Sequence, residues 1–227
     1  MNICIVGPGK LGTALALLSG PEHNLYVLGI DPAQTQDFAE RFSATVLEDY
    51  DSNIDLYLFA LDPGVIIETM GKAAEKAKNG ALLVNLSTKS VNDSEMIKHY
   101  DRIEFIDMKM IGSAIGVREG LPTAFVLEES REKHLPTLKS VLPKAKEIFL
   151  GDVSVVARIN SIGSTEGIRA GARAEMLLEQ ENVPQEYKDM VLQSVLPGTL
   201  IAYTRHELGE FASNLAKEIK KENLLED

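Results

Sequence analysis

The segment CIVGPGKLGTALA, residues 4–16, constrains this chain more than any other. Gly7, Gly9 and Gly12 stand in the spacing G-x-G-x-x-G, between an apolar run that suits a strand and a small-residue run that suits a helix. Gly7 permits a tight turn, Gly9 lets a ligand approach the bare backbone, and Gly12 lets helix and strand pack closely. A helix that starts at such a turn presents unpaired N–H groups and the positive end of its dipole, which together suit phosphate. The backbone from Gly9 through Lys10 and Leu11 to Gly12 is therefore the expected cradle of a pyrophosphate.

The next apolar run ends in GID, so Asp31 follows Gly12 at the distance where a carboxylate can bond the ribose hydroxyls of a dinucleotide. The same carboxylate repels a 2′-phosphate, and the neighbouring DPAQTQ holds neither Arg nor Lys. NAD is the expected cofactor, ahead of NADP. Ala60 and Leu61 fall at the carboxyl edge of the sheet, where an open α/β fold binds its ligand, and their backbone is expected to touch the cofactor. Asp62 reads equally well as a ligand contact or as a strand exit before Pro63 starts a helix.

Valine-, isoleucine- and leucine-rich runs alternate with helix-length segments as far as Leu150, the pattern of a parallel sheet covered on both faces. Seven such runs are strand candidates, from NICIV (2–6) to KEIFL (146–150). After Gly151 they cease, and a helical pattern continues to about Val183. A second helical stretch, broken at Pro197-Gly198, leads into a charged tail expected to fray. The expected architecture is α/β, a doubly wound sheet in residues 1–151 followed by a small all-α domain in 152–227.

The chain has 227 residues, with 23 Lys and Arg against 34 Asp and Glu, a net charge of −11. Such a surface repels nucleic acid and anionic membranes, so an anionic ligand must be held locally. A single cysteine, Cys4, excludes a disulfide framework and reads as a small buried hydrophobe. The chain opens directly on a strand and has no apolar run of membrane-spanning length, so a cytoplasmic protein is expected. None of the four histidines pairs at metal-ligand spacing, and no metal site is expected.

With these residues in place, the chain resembles the β-hydroxyacid dehydrogenases of the 6-phosphogluconate dehydrogenase superfamily, which includes hydroxyisobutyrate dehydrogenase. The likeness covers most of the first 180 residues and rests on four stretches in order. GPGKLGTALA is the glycine-rich turn of a Rossmann-type domain. LLVNLSTKS is similar to the family's Asp-x-Ser-Thr segment, with Asn85 in place of the acid and Ser87-Thr88 retained. FIDMKMIGSAIGVREGLPTAFVLEE resembles the substrate loop; Asp107, Gly112 and Gly120 agree, while Lys109, Ile111 and Ser113 depart. GDVSVVARINSIGSTEGIRAGARAEMLL is similar to the long helix that opens the family's α-helical domain.

In that family the long helix carries a catalytic lysine three residues before an asparagine, and these positions fall here on Arg158 and Ser161. Arginine stays protonated and cannot exchange a proton as a tuned lysine does, so Arg158 would bind an anion or polarise a carbonyl. Lys109 is then a candidate proton donor, its alternative being a solvated loop lysine. The resemblance implies substrate contacts from Ser87, Gly112 and Ser113. The pyrroline-5-carboxylate reductases and prephenate dehydrogenases share the first domain without using that lysine.

At 3.6 residues per turn, Arg158, Ser161, Thr165, Arg169 and Arg173 share one face of the long helix, and Gly163, Gly167 and Gly171 the opposite one. Each interior glycine costs about 1 kcal/mol against alanine. The glycine face is therefore expected to be a packing seam, within the chain or across a dimer. The polar face is expected to wall a cleft that takes a carboxylate, with Ser161 and Thr165 beside the substrate. The bland alternative is a solvated face with Glu166 paired to Arg169 or Arg173. A helical domain this small buries too little to stand alone, so a homodimer through the carboxyl-terminal helices is expected, with Leu200, Leu208, Phe211, Leu215 and Ile219 as apolar positions. The leading expectation is an NAD(P)-dependent oxidoreductase acting on a small carboxylate-bearing hydroxy or keto acid. An imine reductase of the pyrroline-5-carboxylate reductase type and a non-catalytic NAD(P)-binding regulator are the alternatives.

Overall fold

A computed structural model describes residues 1–91 and 99–223. The sheet is built from β1 (Asn2–Val6), β2 (Asn24–Leu28), β3 (Thr45–Val46), β4 (Leu56–Phe59), β5 (Leu82–Asn85), β6 (Glu104–Ile111), β7 (Ala124–Leu127) and β8 (Glu147–Leu150). Its strand order is β3-β2-β1-β4-β5-β6-β7-β8, with the reversal of direction at β1/β4 that defines a doubly wound fold. The expected strands are present; the short β3 is an edge strand that two residues, Thr45 and Val46, gave no periodicity to find.

The helices of this region are α1 (Lys10–Leu18), α2 (Pro32–Phe42), α3 (Ile66–Lys76), α4 (Ala114–Arg118) and α5 (Leu135–Val141). Alternate residues of each central strand feed opposite sides of the sheet. Ile3, Ile5, Leu58 and Val84 pack with Leu15 of α1 and Phe38 of α2. Cys4, Tyr57, Phe59 and Leu83 pack with Met70 of α3. β4 and β5 are buried along their whole length, which is why LYLF and LLVN read as unbroken apolar runs. Cys4 is fully buried among them, as expected.

One strand departs from the parallel pattern. β7 runs antiparallel to β6, and β8 returns parallel to β7. The connection from Ile111 to Ala124 contains only the five-residue α4, too little helix to cross the sheet, so the chain turns back beside β6. Strand direction is set by that crossover and leaves no mark in the apolar runs.

Contacts divide the chain into two compact units, Met1–Ser161 and Ile162–Asp227. The first includes the opening turns of α6 (Val155–Gln180), because Val153 and Val156 pack against Val126 and Ile111. The second unit holds the rest of α6, then α7 (Gln185–Met190), a π-helical turn (Val191–Val195), α8 (Leu196–Arg205) and α9 (Glu210–Asn223). Pro197-Gly198 does not break the helix as the sequence suggests. Pro197 sits in the first turn of α8, directly after the π turn, where its missing N–H costs little. Helix also extends through most of the charged tail, and residues 224–227 lie outside the described part.

Among the described residues of the second unit none is buried. Phe211 is 83% exposed, and Leu200, Leu215 and Ile219 are exposed with it, while Leu208 is half-buried. Outside the helix's own backbone, no described atom lies within 4 Å of a Cβ built on Gly163, Gly167 or Gly171, so the glycine face is open among the described residues. Glu166 pairs with Arg169 across one turn. No helix among the described residues is long and apolar enough to cross a membrane.

Candidate functional site

The glycine turn has the geometry its spacing demands. Gly7 adopts φ +99°, and a Cβ there would stand 2.6 Å from the Ala60 carbonyl oxygen. A Cβ on Gly12 would stand 2.1 Å from the carbonyl oxygen of Gly7. Around Gly9 there is open space instead, with nothing within 4 Å of its Cβ position. Gly9 caps α1 with no side-chain bond, so the N–H groups of Lys10, Leu11 and Gly12 are available to an outside acceptor. Two glycines make the turn and the third leaves room above it, which fits a pyrophosphate.

Ala60 and Leu61 follow β4 at the carboxyl edge; the Ala60 N–H donates to the Val6 carbonyl at 2.9 Å, which holds this backbone against the turn. Asp31 follows β2 and is exposed. Its Oδ1 accepts from the Ala33 and Gln34 N–H groups at 3.0 and 3.2 Å, so it also caps α2. Asp62 is exposed and its carbonyl accepts from Val65, in the turn that leads into α3.

A cavity of ≈ 650 Å³ opens beside this turn, with Lys10 and Leu11 in its wall. Ser87, Thr88, Ser90, Lys109 and Gly112 line it from the sheet side, and Val156 and Asn160 from α6. Lys109 lies on β6 rather than in a solvated loop, and is only 7% exposed. Its Nζ donates to Asp107 Oδ1 at 3.0 Å and to the Lys89 carbonyl at 3.4 Å.

Asp107 is completely buried, and the network around it explains how a charge survives there. Asn85 Nδ2 donates to its Oδ1 at 2.6 Å, while Ser90 Oγ and the Val91 N–H donate to its Oδ2 at 2.6 and 3.0 Å. Burial would raise the Asp107 pKa, but the Lys109 charge and these donors outweigh it and hold the carboxyl below its ordinary value. Burial pulls the Lys109 pKa below its ordinary value, and the attraction of Asp107 offsets this only in part. The departures from the family at 85 and 109 thus belong together. Asn85 also donates to the Lys89 carbonyl and accepts from the Ser87 N–H. An acid in its place would have to carry a proton beside Asp107, because two carboxylates sharing one buried site do not both ionise.

The other expected site residues divide. Ser87 is buried and lines the cavity; Gly112, at φ +136°, lines it at the end of β6. Ser113 caps α4, its Oγ accepting from the Gly116 N–H at 3.0 Å, and is not part of the wall. Arg158 and Ser161 are exposed on α6 and are not part of the wall either. Thr165 belongs to the second compact unit and is exposed.

Asn160 is the residue that sequence reasoning missed. Its Nδ2 donates to the Met110 carbonyl at 2.8 Å, and its Oδ1 accepts from the Gly112 N–H at 3.3 Å. The signal was the apolar pair Val153 and Val156: continued at helical spacing, that face arrives at Asn160, with Arg158 turned to the opposite side. The cavity also has a carboxylate flank, Glu128 and Asp152, which the sequence did not single out.

No protein-family model matches this sequence, and no curated protein matches it. Among solved structures, a pyrroline-5-carboxylate reductase from Coxiella burnetii is similar over 96% of this chain and 84% of its own, with a TM-score of 0.73 at 15% identity. A pyrroline carboxylate reductase from Plasmodium falciparum with NADP bound is similar over the same shares, with a TM-score of 0.70 at 10% identity. A 3-hydroxyisobutyrate dehydrogenase from Salmonella typhimurium is similar over 91% of this chain and 79% of its own, with a TM-score of 0.65 at 14% identity. The chain therefore has the fold of these reductases and this dehydrogenase, a Rossmann-type domain followed by a helical one.

Proposed function

We propose that this chain is an NAD(P)-dependent oxidoreductase that moves a hydride between the nicotinamide and a small carboxylate-bearing hydroxy acid or its keto counterpart. The observation that carries the reading is Lys109: a buried lysine, held by Asp107, in the wall of a cavity that begins at the phosphate-binding turn. The bound dinucleotide supplies the hydride. The N–H groups of Lys10, Leu11 and Gly12 take the pyrophosphate, and Asp31 takes the adenosine ribose through the oxygen not used for capping. The Ser87 hydroxyl holds the substrate, beside the Gly112 backbone that lines the cavity. Lys109 gives a proton to the substrate oxygen in reduction and removes it in oxidation, and its lowered pKa suits both roles. Proton transfer falls to Lys109 rather than to Arg158, which is not part of the cavity wall.

The second reading, an imine reductase, is favoured by the carboxylate flank. Glu128 and Asp152 would stabilise a cationic protonated imine, whereas an uncharged carbonyl carries no positive charge for them to meet. A homodimer belongs to either reading. The second unit has no buried residue among those described, so α6 to α9 need a partner, and a second copy offers the same apolar positions in return.

The test is a turnover screen with either dinucleotide, offering 2-hydroxy and 3-hydroxy acids, their keto forms, and cyclic imino acids. Oxidation of a hydroxy acid that is lost in Lys109→Met, with dinucleotide affinity retained, supports the first reading. Reduction of imines alone supports the second. A protein that binds dinucleotide and turns over neither class is a regulator rather than an enzyme.

A further inference from the structure

A second hollow, ≈ 410 Å³, lies between α1, α2 and α4. Gly9, Lys10, Gln34, Arg41, Ala114 and Arg118 are in its wall. It shares Lys10 and Ala114 with the larger cavity, so the two adjoin across the first turn of α1. A dinucleotide with its pyrophosphate on that turn would lie beside both.

The charge of this hollow runs against that of the chain. Three cations, Lys10, Arg41 and Arg118, face it, and among the described residues no carboxylate lines it, although acids outnumber bases 34 to 23. The Arg118 Nε is bonded to Glu119 at 3.1 Å on the exposed side, and the Arg41 guanidinium lies 5.0 Å from the Phe42 ring centre. Neither Lys10 nor Arg41 has an ion-pair partner among the described residues. Gln34, in the first turn of α2, adds an amide beside the ribose-binding position of Asp31. Asp31 has its own charge partly taken up by the N–H groups of Ala33 and Gln34.

We infer that this hollow receives the 2′-phosphate of the dinucleotide, so that Arg41 and Arg118 select NADP(H) over NAD(H). The inference rests on the dinucleotide reading above. It overrides the argument from Asp31 alone, because two guanidiniums brought in from α2 and α4 outweigh one carboxylate engaged in capping. Guanidinium matches phosphate through paired, charge-assisted hydrogen bonds, and a phosphomonoester at neutral pH carries nearly two charges. A separate phosphorylated metabolite offers the same chemistry. The shared Lys10 wall favours the cofactor's own phosphate.

Calorimetric titration of the full chain with NADPH, NADH, adenosine 2′-monophosphate and adenosine 5′-monophosphate tests this. NADPH should bind at least about tenfold tighter than NADH, and the 2′-monophosphate tighter than the 5′. Arg118→Ala and Arg41→Ala should each lower NADPH affinity by about tenfold and move NADH by less than about twofold, while Arg118→Lys keeps part of the preference. Both arginines are exposed, so thermal melting should be unchanged and the variants remain folded. NADH binding as tightly as NADPH overturns the inference and leaves the oxidoreductase reading standing. Neither dinucleotide binding overturns both. Adenosine 2′-monophosphate binding that is lost in Arg118→Ala, with no NADPH preference, assigns the hollow to a separate phosphorylated ligand and overturns the cofactor assignment.

Discussion

Asp107 and Lys109 stand two residues apart on one face of β6, with Lys109 Nζ 3.0 Å from Asp107 Oδ1. The strand alternation that puts them on the same face also buries both, and burial acts on the two charges differently. Among the described residues Asp107 collects four donors, and it stays ionised. Lys109 keeps one strong partner and the Lys89 carbonyl, and gives up its proton more readily than a surface lysine.

Replacing Lys109 by Met should lower turnover by about 10²–10⁴-fold, the range of general acid–base catalysis, with little effect on dinucleotide affinity. In the wild type, reduction needs the protonated amine, so its rate should fall as pH rises through the Lys109 pKa, below the ordinary 10.5. Oxidation needs the neutral amine and should rise over the same range. Steady-state rates in both directions against pH check this; a reduction rate still flat at the ordinary 10.5 would remove Lys109 from the proton transfer.

Asp107 makes an acid-sensitive contribution to stability. Its folded pKa lies below the ordinary 3.8, so the contribution is complete above that value and is lost as pH falls through the folded one. Asp107→Ala should cost about 3–5 kcal/mol at neutral pH, because it leaves Lys109 buried without its counter-charge. Chemical denaturation of both proteins at pH 7 measures the loss.

Gly9 and Gly12 should respond oppositely to alanine. Gly12→Ala forces a methyl into the Gly7 carbonyl and should lower the melting temperature as well as abolish dinucleotide binding. Gly9→Ala meets nothing in the protein, so stability should move by less than about 1 kcal/mol while dinucleotide affinity falls. Melting curves with parallel titrations separate the two effects.

Asn160→Ala removes the tie between α6 and the end of β6. Loss of a hydrogen-bonded side chain here should cost about 1–3 kcal/mol and raise KM more than it lowers kcat, since Asn160 holds Gly112 rather than a reacting atom. Asn160→Asp should rescue part of the KM effect through the oxygen that accepts from Gly112.

Phe211→Asp should turn a dimer into a monomer and expose α6 to α9 to proteolysis. Sedimentation velocity at micromolar concentration gives the answer, and a wild type that is already monomeric sinks the dimer proposal.

Local chemistry in this chain was legible from residue order. Gly7, Gly9 and Gly12 announce their turn because its spacing is local: Gly7 takes φ +99°, Gly12 sits against the Gly7 carbonyl and Gly9 leaves open space above the turn, and the apolar runs announce their strands because burial on both faces leaves no polar alternation. The alternation of Ile3 and Ile5 with Cys4 and Val6 divides two cores that the structure places on opposite sides of the sheet. Tertiary structure alone decided what depends on distant segments meeting. It set β7 against β6, turned Arg158 away from the cavity wall and Asn160 towards it, and drew Lys109 out of an expected loop into a buried pair. It also brought Arg41 and Arg118 from separate helices to one hollow beside Gly9. Charge partners and burial are properties of space, and sequence spacing reports them only for residues that share a turn or a strand.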